Sequence, residues 1–350
     1  SLSKNIYLKR PKLMSKCIMK KDYKPKFSLI EVSKSTFLIK DVFQKELSKE
    51  LNLFRVHAPL MVPPATGIND DLNGYERPVE FEIKHTGKNI QIIHSLAKWK
   101  RKALKKFGYK VGEGIYCDMK AIRRDEDLDN THSLYVDQWS WEKIISEEER
   151  NFELVQKTVK GILKALRDTE KKFIEAFPEK NLTPIVPDDI VFISSQELED
   201  KYPDKTPKER EDIVAKEHKA VFVTQIGKIL KSGIAHDGRS PDYDDWELNG
   251  DILVWHDTLG KALEISSMGI RVNKESLKEQ LKIAGVEERK NLEFHRMLLN
   301  GELPLTMGGG IGQSRVCMYL MQVLHIGEVQ SSLWPKEMIK AFEEKGIEFL

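Results

Sequence analysis

Gly308-Gly309-Gly310-Ile311-Gly312-Gln313-Ser314-Arg315 sets glycines at the alternate positions 308, 310 and 312, then an arginine, just before an apolar helical stretch. Successive residues of a strand face opposite ways, so this spacing strips one face of its Cβ atoms. A backbone bared in that way can lie flat against a planar ligand, and Arg315 can then reach a phosphate. On the glycines alone, a nucleotide shelf and a tightly packed strand end are equally good readings. Two other phosphate-binding patterns do not fit. No Lys-Ser or Lys-Thr follows the last glycine, as a P-loop requires, and Gln313 stands where a dinucleotide fingerprint has its third glycine.

Upstream, strands are expected over 251–255 and 262–271, with Asp251, Leu253 and Trp255 on one face of the first and Glu264, Ser266 and Met268 on one face of the second. The segment 132–141 alternates too, with Leu134, Val136 and Gln138 opposed to Tyr135, Asp137, Trp139 and Trp141. Ser35 or Thr36 can cap a helix carrying Ile39, Val42, Phe43 and Leu47 at helical spacing, ending before Asn52. Leu53 to Met61 alternates as a strand up to Pro59, and a proline there marks an edge or a subunit boundary. A basic helix is expected over 95–107, and a strand over 114–124 runs into the charged turn Arg123-Arg124-Asp125-Glu126-Asp127. A long helix spans about 146–177, and 231–249 reads as a polar loop. Consecutive strands without βαβ spacing predict an α+β fold, a mainly antiparallel sheet flanked by helices.

The chain has 350 residues, 40% of them hydrophobic and 32% charged, enough for one large core. A net charge of +2 gives no field that would point to nucleic acid. The positive charge is local: residues 1–34 hold ten Lys or Arg against two acids, with Lys9, Arg10, Lys12, Lys20, Lys21, Lys24 and Lys26 among them. Residues 1–32 are therefore read as a solvated basic extension and 33–350 as one catalytic domain. A targeting peptide fits less well, since Lys dominates over Arg, Pro11 and Pro25 interrupt, and no apolar core is present. No run approaches the roughly 20 apolar residues of a membrane span. Cys17, Cys117 and Cys317 suggest neither a disulfide framework nor a metal site, and a cytoplasmic protein is expected.

A helix and strand ending at Pro59, a strand and turn with Arg123 and Glu126, and the glycine strand ending at Arg315 resemble, in that order, the three motifs of class II aminoacyl-tRNA synthetases. HSLAKWKR at 94–101, YVDQW at 135–139, PDYDDW at 241–246, NGDILVW at 249–255, SSMGIRV at 266–272 and GGGIGQSR at 308–315 are similar to the ammonia-dependent asparagine synthetase family. The resemblance implies a class II catalytic core working as a homodimer without tRNA. It implies that L-aspartate and ATP, with Mg²⁺, give β-aspartyl-AMP and pyrophosphate, and that ammonia then displaces AMP.

Carried onto this sequence, the resemblance implies catalytic roles for Arg123 at the α-phosphate and Arg315 at the triphosphate, with Lys100 and Gln138. It implies that Asp70, Ser95, Asp244, Arg239 and Ser266 bind substrate, Asp70 through the α-ammonium and Lys100 and Ser95 through a carboxylate. Gly308, Gly310, Gly312, Ser267 and Asp251 would bind the nucleotide. Glu264 and Asp251 supply hard oxygens that suit Mg²⁺, Glu264 being the better ligand. Solvated helix charge remains open for Lys100, and pairing with Asp125, Glu126 or Asp127 for Arg123. The chain departs from the family at Ser140, where bacterial members often carry an acid. The short stretch before the core also leads one to expect no anticodon-binding domain, which would need roughly 50 residues or more.

Overall fold

The computed structural model describes residues 13–350, and Lys9, Arg10 and Lys12 of the basic extension lie outside them. Helix α1 spans Leu29–Leu51. It begins earlier than expected, because Ser28 and Glu31 form a reciprocal capping box while Ser35 and Thr36 are buried inside the helix. Thr36 Oγ1 donates back to the Val32 carbonyl at 2.9 Å instead of capping. Asn52, in the left-handed region at φ 55°, ends the helix. The segment before α1 is not wholly solvated: Phe27 is buried in the core, and Tyr23 donates to Glu328 at 2.7 Å.

Strand β1 is Leu53–Arg55, and the chain then leaves the main sheet to enter β2, Met61–Val62, so the single strand expected up to Met61 is split around Pro59. With β3 (Glu80–Glu82) and β4 (Asn89–Ile92), β2 makes a small three-stranded sheet. Helix α2 is Ala97–Phe107, followed by β5 (Gly114–Ile122), β6 (Tyr135–Ile144) and the long α3 (Phe152–Ala176). Next come β7 (Val191–Ser194), α4 (Ser195–Lys201), α5 (Pro207–His218) and β8 (Ala220–Thr224). Strands β9 (Asp244–His256) and β10 (Lys261–Arg271) lead to α6 (Lys274–Ile283) and α7 (Glu293–Leu299). The glycine strand β11 (Thr306–Gly312), α8 (Gln313–Met321) and α9 (Lys336–Glu343) complete the order. Asp244 thus belongs to a strand and not to the polar loop in which it was expected.

The main sheet has eight strands in the order β1-β5-β6-β11-β10-β9-β8-β7. Its two outermost pairings, β1 with β5 and β7 with β8, are parallel, and the others are antiparallel as expected. Alternation along β6 sends Trp139 and Trp141 into the core with Ile39, Phe43 and Leu47 of α1 and Val155, Val159 and Ile162 of α3. Full burial of each such side chain stabilises the fold by roughly 1.5–3 kcal/mol. The opposite face of β6 carries Gln138, Ser140 and Glu142 toward the glycine strand, which pairs with it as Gly308 with Glu142 and Gly310 with Ser140. One face of the sheet is therefore packed against α1, α3 and α8, and the other, flanked by α2 and by α4 to α7, leaves a central stretch open to a ligand.

Candidate active site

The open face holds a cavity of about 320 Å³. Segments far apart in sequence bring Asp70, Ser95, Lys100, Arg123, Gln138, Arg239, Asp244, Glu264, Ser266, Ser267, Gly310, Gly312 and Arg315 to its wall. Two of the expected site residues do not line it. Gly308 stands behind the wall, where the Glu142 carboxylate fills the space that a Cβ would take. Its missing side chain makes room for Glu142, not for a ligand. Asp251 also stands behind the wall, bonded to Arg239 Nη1 at 2.9 Å and to Ser267 Oγ at 2.7 Å.

Strand alternation explains only part of the wall. A β-bulge between Glu264 and Ser266 breaks the expected common face, so Ser267, not Ser266, pairs with Asp251. Ser267 Oγ lies 3.0 Å from Glu264 as well, joining the two carboxylates through one hydroxyl. Burial and the nearby Glu264 push the Asp251 carboxyl up to about 6 against the pull of Arg239. Burial acts on Glu264 also, but Arg315, Lys208 and Arg239 outweigh it and hold Glu264 below its usual value.

Two arginines face the cavity without a carboxylate partner among the described residues. Arg123 Nη2 donates to the His94 carbonyl at 3.2 Å, and its buried Nε makes no hydrogen bond. Of the acidic neighbours weighed for it, Asp125 takes Arg77 at 2.6 Å and Asp127 takes Lys16 at 2.7 Å, while Glu126 lines the cavity without an ion pair to Arg123. Arg315 donates to the backbone carbonyls of Thr131 and Glu264 at 2.9–3.3 Å. Neutral oxygens orient both guanidiniums and leave their charge available to an anion.

At the other end of the cavity the charges are matched in pairs. Lys100, expected on an exposed basic helix, is 1% exposed, and its Nζ reaches the carbonyls of Trp141 at 2.6 Å and Gly309 at 3.2 Å. Burial pushes it down to about 8, with Glu142 at 3.4 Å opposing. Glu142 is gripped by Arg271 at 2.9 and 3.0 Å and by Thr306, so that it stays ionised below its usual range although burial alone would raise it. Arg271 also bonds Asp244, and Arg239 Nε lies 3.0 Å from the same carboxylate. Lys100, Glu142, Arg271, Asp244, Arg239 and Asp251 thus alternate in sign across β6, β10 and β9. Asp70, 3% exposed, accepts only the Leu72 amide at its carboxylate, and burial raises its pKa despite Lys98 nearby.

The sequence reading missed Glu142 and Arg271. Glu142 had a signal, since it continues the period of two from Gln138 through Ser140. Arg271 lay inside the quoted SSMGIRV stretch, but strand alternation gave no signal for it, because a second register shift, between Gly269 and Arg271, brings it opposite Asp244. The site can bind a polyanion at one end and a small zwitterion at the other.

A family model described as aspartate-ammonia ligase matches residues 30–346. The aspartate–ammonia ligase of Clostridium tetani is 55% identical over 340 residues, covering 97% of this chain and 99% of that protein. That of Lactobacillus johnsonii is 56% identical over 335 residues, covering 95% and 99%. Among solved structures, the asparaginyl-tRNA synthetase of Entamoeba histolytica superposes with a TM-score of 0.61 at 13% identity, covering 86% of this chain and 67% of that one. The Pyrococcus horikoshii asparaginyl-tRNA synthetase complexed with asparaginyl-adenylate gives 0.59 at 16% identity, covering 88% and 70%. At such identities the structural likeness speaks for the fold alone, which is that of the class II synthetases.

Proposed function

The chain belongs to the aspartate–ammonia ligase family, and from that premise we propose that it amidates L-aspartate with ammonia and ATP through a β-aspartyl adenylate. A carboxylate is a poor electrophile, and adenylation turns its oxygen into a leaving group. The β-carboxylate attacks the α-phosphorus of ATP and pyrophosphate departs. Ammonia then attacks the acyl carbon, AMP leaves with the bonding pair, and the ammonia nitrogen gives up a proton as asparagine forms. The observation that carries this reading is the pair of arginines oriented only by carbonyls, Arg123 and Arg315, in a cavity that also holds a buried, nearly unpartnered Asp70.

In this assignment Arg123 contacts the α-phosphate and Arg315 the β,γ-phosphates, each charge-assisted bond contributing roughly 1.5–3 kcal/mol. Gly312 supports the nucleotide, and Gly310 lines the cavity beside the Gln138 amide, which takes the space of its missing side chain. Asp70 receives the α-ammonium of aspartate, and Lys100, Ser95 and Gln138 hold its carboxylates. Arg239, Asp244 and Ser266 complete the amino-acid end. Glu264 on the cavity wall, with Asp251 behind it joined through Ser267 Oγ at 3.0 and 2.7 Å, would hold Mg²⁺, since both are hard oxygen donors. When bound, the ion would neutralise phosphate charge.

The active form is a homodimer in this reading, and a second copy covers the apolar residues Ile30 and Phe37 of α1, 70% and 74% exposed, and Phe54 on the edge strand β1. Aspartate, ATP, Mg²⁺ and ammonium should yield asparagine with equimolar AMP and pyrophosphate, with no tRNA added. Production of ADP, or a strict need for tRNA, would overturn the assignment. Sedimentation should show a dimer that Phe37→Asp dissociates.

A further inference from the structure

Behind the amino-acid end lies a second set of buried charges that does not line the cavity. Asp242, fully buried, takes Lys98 Nζ at 3.1 Å, His295 Nε2 at 2.9 Å and Arg289 Nη1 at 3.2 Å on the same oxygen, while Ser240 donates to the other at 2.8 Å. Each donor comes from a different part of the chain. Lys98 sits on α2 between Ser95 and Lys100, and His295 sits on α7. Asp242 itself is two residues from Asp244. Arg289 also reaches forward: its Nη2 lies 3.1 Å from Asp71, whose side chain is 62% exposed.

That last bond bears on Asp70. On its N-terminal side Asp70 is anchored, since Asn69 Oδ1 accepts the His94 amide at 2.8 Å and the Asp70 carbonyl meets His94 Nδ1 at 2.9 Å. On its C-terminal side the loop turns sharply, with Leu72 at φ 50° and the Gly74 amide bonded to the Asp71 carbonyl. Arg289 gives that side its ion pair to the buried hub. A planar guanidinium can hold two carboxylates at once, and an ammonium at the end of a single stem reproduces that poorly.

We propose that Arg289 is a positioning residue for the amino-acid end of the site: by bridging Asp242 and Asp71 it holds the loop that presents Asp70 to the α-ammonium of aspartate. The inference rests on the assignment of Asp70 above. Arg289 touches no substrate, and it acts on the aspartate end alone, because its carboxylate partners stand on the 70–71 loop and beside Asp244, while Arg123 and Arg315 are held by carbonyls that Arg289 does not touch.

The test is pyrophosphate exchange with aspartate and ATP varied separately. Arg289→Ala should raise KM for aspartate about fivefold or more, the factor that about 1 kcal/mol from a partly exposed ion pair supplies, and leave KM for ATP and kcat within about twofold. Asp71→Asn, at an exposed side chain that leaves the hub intact, should give the same split, and adding it to Arg289→Ala should change little. Arg289→Lys should not restore the wild-type KM. Asp70→Asn separates the two layers of the argument. If it leaves KM for aspartate unchanged, the assignment of Asp70 falls and this inference with it. If it raises KM while Arg289→Ala and Asp71→Asn do not, or if Arg289→Ala raises KM for ATP equally, the positioning role alone is overturned.

Discussion

The two ends of the cavity use the same residue type in opposite ways. Arg123 and Arg315 are oriented by backbone carbonyls, whereas Arg239 and Arg271 are each paired with two of the carboxylates Asp244, Asp251 and Glu142. A guanidinium tied to neutral oxygens keeps its charge for an arriving phosphate. One tied to two buried carboxylates has spent it on the fold, and it stiffens the wall on which a small substrate must be told apart from its relatives. Burial alone does not separate them, because all four sit on or beside one cavity. Only the identity of the acceptor does.

That contrast predicts which property each variant loses. Arg271→Ala should cost about 3–5 kcal/mol of stability, because it strands Glu142 and Asp244 in the interior. Denaturant unfolding measures this, and a loss below about 1 kcal/mol would erase the distinction between the two ends. Arg315→Ala should behave in the reverse way, lowering the pyrophosphate-exchange rate by roughly 10²–10³-fold, the cost of removing one preorganised donor to transition-state charge, while unfolding stays near wild type.

The pH dependence sharpens the comparison. Exchange should carry an upper limb near 8, from Lys100, while Asp251, raised to about 6 behind the cavity wall, is read through stability instead. Lys100→Arg should remove the upper limb, and a profile unchanged by that substitution would disprove the assignment. Stability moves oppositely through both groups. Between about 8 and 10.5 the unfolded chain holds more of the Lys100 proton, so this group adds stability as pH rises. Asp251 is raised from 3.8 to about 6, so its contribution is lost as pH rises through that window. Glu142, held below 4.5, contributes in the usual carboxylate sense, and its stabilisation is lost as pH falls. The smallest effect is expected at Asp125→Asn. It breaks the surface pair with Arg77 but should leave exchange unchanged, because Arg123 does not use that carboxylate.

Much of the fold was legible because it rests on periodicity. The antiparallel β9, β10 and β11, the two-faced β6 and the helix over the core all follow from alternation or helical spacing in single segments. The start of α1 was misread because Ser35 and Thr36 have the chemistry of a cap but point back at their own helix, while Ser28 has Glu31 to complete its box. Most candidate site residues converge on the cavity, and they came from motif resemblance, which encodes positions that composition does not. Gly308 and Asp251 fall behind its wall because what fills the space beside them, Glu142 for the one and Arg239 and Ser267 for the other, comes from segments distant in sequence or across the sheet.

The sequence by itself determined most of the long helices and strands of the main sheet and the family resemblance, since local pattern and motif spacing are properties of the chain read along its length. The tertiary structure alone decided that Lys98, Lys100 and Arg101 of a helix that reads as basic and exposed are buried, each with acceptors from distant segments. It alone decided which arginines stay free for an anion. The reason is physical: whether a buried cation keeps its charge for a ligand depends on what lies within about 3 Å of it, and in a folded sheet those atoms come from residues as far as 209 positions away.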